Sequence, residues 1–468
     1  MSGYAATPRC VALPVDEIDV LNLVSSAAGK RKVVPRGAGS NQSGSAVSDD
    51  VLLITTGLKG IKVRSTGTVR VMAGTIHANV DAVLSGTGRR LPFDPSSSKF
   101  CTVGGNVATK ASGLRGLKYG SVARSLIHLR FVCPAFGAVD TRQPPEKLRV
   151  AIDALSEMVR ASKEVMETIE RRRGLKSSVG YDLQSLVDQN SNDAIAMLMC
   201  GSAGTLGVIT EVEIATIPIA EERRLLLAAF PTLDEALVVV GDIVKRGPSA
   251  LELVDHNGGE MLRERFPILP KGRAVLMVEF DEDAETAAGS LMLALKQEDH
   301  TGILLRDESA QNAAWKVRED MLLASKRKHE SEERRMIALV EDVAVPRANL
   351  RKFASQMLGI FEREGLETVI YGHVGEGNLH FRPLLPKQDW EQKANELAER
   401  CFSLAIELGG TVSGEHGLGR NKSWFLEREV GKQTMRVFAQ IKQLFDPSST
   451  MNPDVLSGSR RLDEGFRF

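Results

Sequence analysis

Apolar positions along the chain change their period several times, and the changes mark its elements. The run Val11 to Pro14 predicts a short strand, the spacing over Val15 to Gly29 an amphipathic helix, and Lys32-Val33-Val34 a second strand ending at Pro35. Further strands are expected at Val51 to Ile54, Lys62 to Arg64, Val69 to Ala73 and Val212 to Ile217, with a helix over Ile76 to Leu84. Pro144 to Asp188 is charged and helix-favouring, with Val150, Leu155, Met158, Val165 and Ile169 at helical spacing. It predicts a surface insertion whose Arg171-Arg172-Arg173 is a solvated helix end. From Arg223 onward strand and helix patterns alternate, as at Leu225 to Ala229, Leu233 to Lys245 and Ala274 to Phe280.

Late in the chain, the β-favouring pair Val369-Ile370 runs into Tyr371-Gly372-His373-Val374-Gly375-Glu376-Gly377-Asn378-Leu379-His380. A straight strand would send His373 and His380 to opposite faces, and the glycines oppose a helix. A turn at Gly375-Glu376-Gly377-Asn378 folds the run back and lets the two imidazoles converge. Glu415 and His416 sit side by side in a second glycine-dense run, Gly409 to Gly419. Two neutral imidazoles and a carboxylate, His373, His380 and Glu415, suit a divalent first-row metal with open positions. The alternative is that glycine-flanked histidines end strands and hydrogen-bond locally.

Three more small-residue runs interrupt the pattern. Pro35 to Ser45 lies between two strands, and its freed backbone amides and serine hydroxyls can form a nest for a pyrophosphate or serve as a flexible connector. No helix opened by Gly-x-Gly-x-x-Gly follows and no Walker lysine is present, so it is neither a Rossmann fingerprint nor a P-loop. Phe93 to Ser121 and Met199 to Thr210 repeat the theme. Their small residues allow either close backbone approach to a flat ligand or tight packing of a helix on a sheet.

With 468 residues, 43% of them hydrophobic, two or three domains are expected. A formal net charge of zero with interspersed signs removes the electrostatic case for nucleic acid or an anionic membrane. No apolar run reaches the length of a membrane span and Met1 to Cys10 lacks a signal-peptide core, so the expected compartment is the cytoplasm. Five scattered cysteines without Cys-x-x-Cys encode neither a disulfide framework nor an iron–sulfur cluster.

Taken in order, PRGAGSNQSG, PSSSKFCTVGGNVATKASG with LKYGS, CGSAGTLGVIT, YGHVGEGNLH, SGEHGLG and FDPSSTMNP resemble the FAD-linked oxidases of the vanillyl-alcohol oxidase type. Within these, the chain is similar to the branch holding the FAD subunit of glycolate oxidase, D-lactate dehydrogenases and D-2-hydroxyglutarate dehydrogenase. The resemblance spans almost the whole chain. It implies an α+β fold: a PCMH-type FAD-binding domain of two subdomains over 1–220, with the helical insertion at about 144–188. An α+β cap domain with an antiparallel sheet follows over 221–416, and 417–468 returns to the FAD domain.

The same resemblance implies residue roles. Arg36, Gly37, Ala38, Gly39, Ser40, Asn41, Ser43 and Gly44 would meet the FAD pyrophosphate. Pro95, Ser96, Gly104, Gly105, Ala111, Ser112 and Gly113 would lie near the ribityl chain and ring, Gly207, Val208 and Ile209 would offer backbone, and Asn452 would approach the ring edge. Ala203 stands where many relatives carry glutamate. Ser40 stands where relatives have threonine, or a histidine that bonds the flavin, so non-covalent FAD is implied; the cysteine that anchors flavin in berberine-bridge-type relatives is out of register with Cys101.

Ala314-Trp315-Lys316-Val317-Arg318 resembles the family's Leu-Trp-x-x-Arg element, whose arginine holds the substrate carboxylate; read alone, Arg318 could equally pair with Glu319 or Asp320. Glu341 to Pro346 is expected as a strand entering the site. The implied reaction is oxidation of a D-2-hydroxy acid of the lactate, glycolate or 2-hydroxyglutarate type to the 2-oxo acid. A zinc, manganese or iron ion would be held by His373, His380 and Glu415, with His416 as base and Asn378 and Arg318 on polar substrate atoms. Implied acceptors are an iron–sulfur partner, an electron-transfer flavoprotein or a quinone, which would place the protein peripherally at a membrane through its partner; a homodimer is compatible. Rival readings are a relative of alkyl-dihydroxyacetone-phosphate synthase, for which no apolar tunnel lining is identifiable, and a non-catalytic FAD-holding subunit, which the filled ligand positions disfavour.

Overall fold

The computed structural model describes residues 3–338, 341–456 and 463–466. The chain divides into two compact units. The first comprises 1–112, 121–219 and 412–467; the second comprises 113–120 and 220–411. Val412 to His416 thus belong with the first unit, and the short stretch Gly113–Gly120 leaves its sequence neighbours for the second.

Two sheets organise the first unit. In a parallel three-stranded sheet, Val51–Ile54 lies between Cys10–Ala12 and Val33–Arg36. Pro35 does not end its strand as expected, because the strand is at the edge of this sheet, where a residue lacking an N–H is tolerated. The helix Glu17–Ala27, capped by Asp16, buries Val20, Val24 and Ala27 against Val33, Leu53, Val132, Val208 and Met451. A five-stranded antiparallel sheet runs in the order Ile61–Arg64, Thr68–Met72, Val208–Ala215, Leu126–Cys133, Gly137–Asp140.

The expected insertion forms the helices Glu146–Ala161, Lys163–Arg172 and Leu183–Asp188. Its inner stripe differs from the one read in the sequence. Leu148, Ile152, Ser156 and Val159 are buried at i, i+4, i+8, i+11, while Val150 is 59% exposed. Nor are the arginines all solvated: Arg172 pairs with Glu429 and Arg171 donates to the Glu429 carbonyl, tying these helices to the C-terminal part of the same unit, and only Arg173 pairs at the surface, with Glu170 and Asp188.

The second unit is built on an eight-stranded antiparallel sheet. Its main path is Thr301–Leu305, Arg224–Phe230, Ala274–Phe280, Ala250–Asp255, Thr368–Gly372, Asn378–Pro386, Arg334–Met336, and Val343–Ala344 also pairs with Asn378–Pro386. The predicted helix from Leu233 to Lys245 is two short helices, Leu233–Val238 and Val240–Val244, since Val238-Val239-Val240-Gly241 combines β-branched residues with glycine. The 22-residue helix Glu308–His329, capped by Asp307, packs Ala314, Trp315 and Met321 into a core with Leu225, Leu227, Val254, Val275, Met277 and Tyr371. Among the described residues no helix is long and apolar enough to cross a membrane.

Candidate active site

In the first unit the small-residue runs come together. Asn452 Nδ2 donates to the carbonyls of Ser45 (2.9 Å) and Ala203 (2.6 Å), and the amides of Gly201 and Ala203 donate to Val107 and Ala108. The loop after Val33–Arg36, the helix Val103–Ala108 and the run 200–207 are therefore one cluster. Within it the amides of Ala38, Gly39 and Ser40 donate to no acceptor among the described residues, and the buried Ser112 Oγ, Ser202 Oγ and Asn452 Oδ1 also lack partners there. Val208 and Ile209 pair with Val132 and Phe131, and the ladder to Thr68–Met72 begins at Glu211, with the Ala73 amide donating to the Thr210 carbonyl. Free amides and orphaned buried oxygens fit a bound group carrying both phosphates and a polar ring.

Other expected contacts are used within the protein. Asn41 Nδ2 and Ser43 Oγ both donate to the carbonyl of His416, at 2.9 and 3.1 Å, and Arg36 donates to the carbonyl of Ala46, so those side chains are already engaged. The amide of Gly105 is taken by the cap residue Thr102. Gly104 serves packing: a Cβ there would sit 2.5 Å from that of Ala73, the tight-packing alternative for this run. Ser96 is exposed, Gly44 has φ of +77°, and Gly113 falls in the second unit. Burial pushes the Cys101 thiol up, leaving it a poor nucleophile.

In the second unit the charged residues share one face of the sheet. The registers Ala250–Glu279, Val254–Tyr371 and Tyr371–His380, with alternation along each strand, put Glu279, Glu252, Tyr371, Asn378, His380 and Arg382 on the side covered by Glu308–His329. The turn forms as the spacing predicts. A single 3₁₀ turn, Val374–Glu376, and a left-handed Gly377 reverse the chain, and the rings of His373 and His380 lie 5.6 Å apart, edge to face. Both are buried, at 6% and 3% exposure.

Carboxylates back both rings. His373 Nδ1 is 2.6 Å from Glu252 and His380 Nδ1 is 3.2 Å from Glu341. Arg318 does not present an open fork. Its Nε and Nη2 donate to one oxygen of Glu252, at 3.0 and 2.7 Å, and its guanidinium lies 4.7 Å from the Tyr371 ring centre. Glu319 and Asp320 pair with Lys316, which disposes of the surface alternative. Arg382 mirrors this arrangement, pairing with Glu341 at 2.8 Å and donating to the Tyr371 hydroxyl at 3.1 Å. Asn378 Nδ2 donates to Asp342 and to the Val343 carbonyl, while its buried Oδ1 has no partner among the described residues. The strand Val343–Ala344 brings Asp342 to this place with φ of +64°.

Glu415 and His416 are held in the first unit. Glu415 pairs with the half-buried Lys176 at 3.3 Å, and His416 Nε2 is 3.6 Å from Glu415. Sequence reasoning missed Glu252, Arg382 and Lys176, and it gave no role to Glu341 or Tyr371, which it had placed in elements near the site. One signal was present: Glu252 and Glu279 each interrupt an otherwise apolar strand, and a buried carboxylate requires a partner.

Residues 8–140 match the family described as FAD binding domain, and residues 219–456 match FAD linked oxidases, C-terminal domain. Glycolate oxidase subunit GlcD of Bacillus subtilis is 28% identical over 96% of this chain and 90% of its own length. D-lactate dehydrogenase of Archaeoglobus fulgidus is 29% identical over 90% of this chain and 85% of its own. Among solved structures, an alkyldihydroxyacetonephosphate synthase is similar in fold, with a TM-score of 0.65 at 17% identity, covering 95% of this chain and 75% of that one. The α+β architecture is accordingly of the PCMH type with an antiparallel second domain. The chain is an FAD-dependent oxidoreductase and belongs to the family of FAD-linked oxidases.

Proposed function

We propose that this oxidoreductase oxidises a D-2-hydroxy acid to the 2-oxo acid. The observation that supports it best is the buried pair of imidazoles, His373 and His380, beside the unpartnered Asn378 Oδ1. Two imidazoles with the carboxylate of Glu415 make a donor set for a divalent zinc, manganese or iron ion, whose charge would lower the pKa of a coordinated hydroxyl. FAD, bound without a covalent link, supplies the hydride acceptor. Asn378 Oδ1 accepts from the substrate, and His416 takes the hydroxyl proton, an imidazole being suited to that pH range. Arg318, whose Nε and Nη2 donate to Glu252, would act from behind His373, and a metal ion held by the two imidazoles would supply positive charge toward the substrate carboxylate. Electrons pass on to an iron–sulfur partner, an electron-transfer flavoprotein or a quinone, with oxygen a slow acceptor and the cytoplasm the working compartment. The names of the glycolate oxidase and D-lactate dehydrogenase relatives support the substrate class.

Anaerobic mixing of the yellow protein with a panel of D- and L-2-hydroxy acids tests the reading. Bleaching by D-acids is expected, and flavin that stays oxidised with every acid overturns it. Gly39→Val should yield protein without FAD. Its φ of +70° is strained for valine, and a Cβ would lie 2.1 Å from the Arg36 guanidinium, displacing the amides that meet the pyrophosphate. The ratio of flavin to protein absorbance checks this.

A further inference from the structure

Two chains of contacts on the same sheet face have the same composition. One runs Arg318, Glu252, His373; the other runs Arg382, Glu341, His380. Both arginines adjoin Tyr371, with guanidinium carbons 4.7 and 6.0 Å from its ring centre. All six charged or imidazole groups are at most 9% exposed, and Glu252 is fully buried.

We propose that Glu252 and Glu341 are positioning residues that orient the two imidazoles for metal, and that Arg318 and Arg382 fix those glutamates in place. This rests on the reading that His373 and His380 bind the metal. A carboxylate accepting from Nδ1–H leaves the lone pair on Nε2 and fixes the ring plane, which is what a ligating imidazole requires. The adjoining guanidinium holds each carboxylate against its ring. Each glutamate serves both partners: Glu252 gives one oxygen to His373 and the other to Arg318, while one oxygen of Glu341 serves both His380 and Arg382. Nothing in an arginine–glutamate pair that served packing alone would call for the imidazole contact, and here it occurs twice.

Cobalt(II) titration of the full-length, FAD-loaded, chelator-treated protein tests the proposal, read by the visible ligand-field bands of the bound ion. Glu252→Gln and Glu341→Gln should each weaken cobalt binding by roughly 10- to 100-fold and shift those bands, with FAD content unchanged. Glutamine at 252 leaves Arg318 without its counter-charge, so the double variant Glu252→Gln/Arg318→Met is the companion that keeps the site neutral. It should show the same weakening. Parent protein that binds cobalt while the folded variants bind it within threefold overturns the positioning role alone. Parent protein that takes up no cobalt overturns the metal reading and this one with it.

Discussion

His380→Ala is expected to lose bound metal and to lower hydroxy-acid oxidation to background while keeping a full complement of FAD. His380 lies in the strand Asn378–Pro386 of the second unit, whereas the unpartnered amides of Ala38 to Ser40 and the orphaned oxygens of Ser112 and Asn452 are in the first. Removing an imidazole therefore leaves the proposed cofactor contacts intact. One ligand in three is lost, and the remaining imidazole and carboxylate no longer define a site that selects a first-row ion. His416→Ala should differ in kind, retaining metal and FAD while turnover falls by about a hundredfold or more, the usual contribution of a positioned base. Metal analysis, flavin absorbance and steady-state rates separate the two. If chelation strips all metal and the rate is unchanged, the histidines must instead hydrogen-bond the substrate directly.

Arg115→Met is expected to destabilise the second unit by about 3–5 kcal/mol, the usual consequence of breaking a buried ion pair from one side. Arg115 makes a two-point contact with Glu279, at 2.6 and 2.7 Å, and Glu279 also accepts from Ser249 and from Trp315 Nε1. Burial works against ionisation of Glu279, but the Arg115 charge and hydrogen bonds outweigh it and hold the carboxyl below its ordinary value. A depressed folded-state pKa contributes stability that is complete above the unfolded value, about 4.3, and is lost as pH falls through the folded one. The parent should therefore show an acid limb in stability that the variant lacks. Denaturant unfolding followed by tryptophan fluorescence, with Trp315 and Trp390 both in this unit, reads both effects. An unfolding midpoint that does not move would mean Glu279 is held by its other donors.

What could be read in advance followed the range of the interaction. The reversal at Gly375 to Asn378 was legible because turn chemistry and an odd histidine spacing are local facts. The partners of those histidines were not: Glu252 lies 121 positions before His373, and only the register across Ala250–Asp255 and Thr368–Gly372 brings them together. Resemblance points Arg318 at the substrate carboxylate, while Glu252, which its Nε and Nη2 meet, lies 66 positions away on a strand that nothing local connects to it. The helix Glu146–Ala161 shows the converse limit. Its period was legible, but Val150 was read into the stripe because apolar character alone does not tell an exposed valine from a buried one. Leu-Arg-Gly-Leu-Lys-Tyr, residues 114–119, lies inside the small-residue run Phe93 to Ser121. Nothing local announces Glu279 and Asp281, which receive Arg115, Lys118 and Tyr119.

The first unit is assembled from three separate stretches, and the last of them begins only at Val412, after almost the entire second unit. On the ribosome this means that Val33, whose carbonyl accepts from the amide of Asn452 and which bridges Met451, must wait for partners not yet made. At ordinary elongation rates of about 5–20 residues per second the delay is on the order of twenty to eighty seconds. During it the second unit can close on its own strands, while the apolar faces of Val51–Ile54 and Glu17–Ala27 stand incompletely covered. Newborn chains should therefore depend on chaperones most heavily before the C-terminal stretch emerges, and the parallel sheet of the first unit should be the last part of the molecule to gain protection from hydrogen exchange.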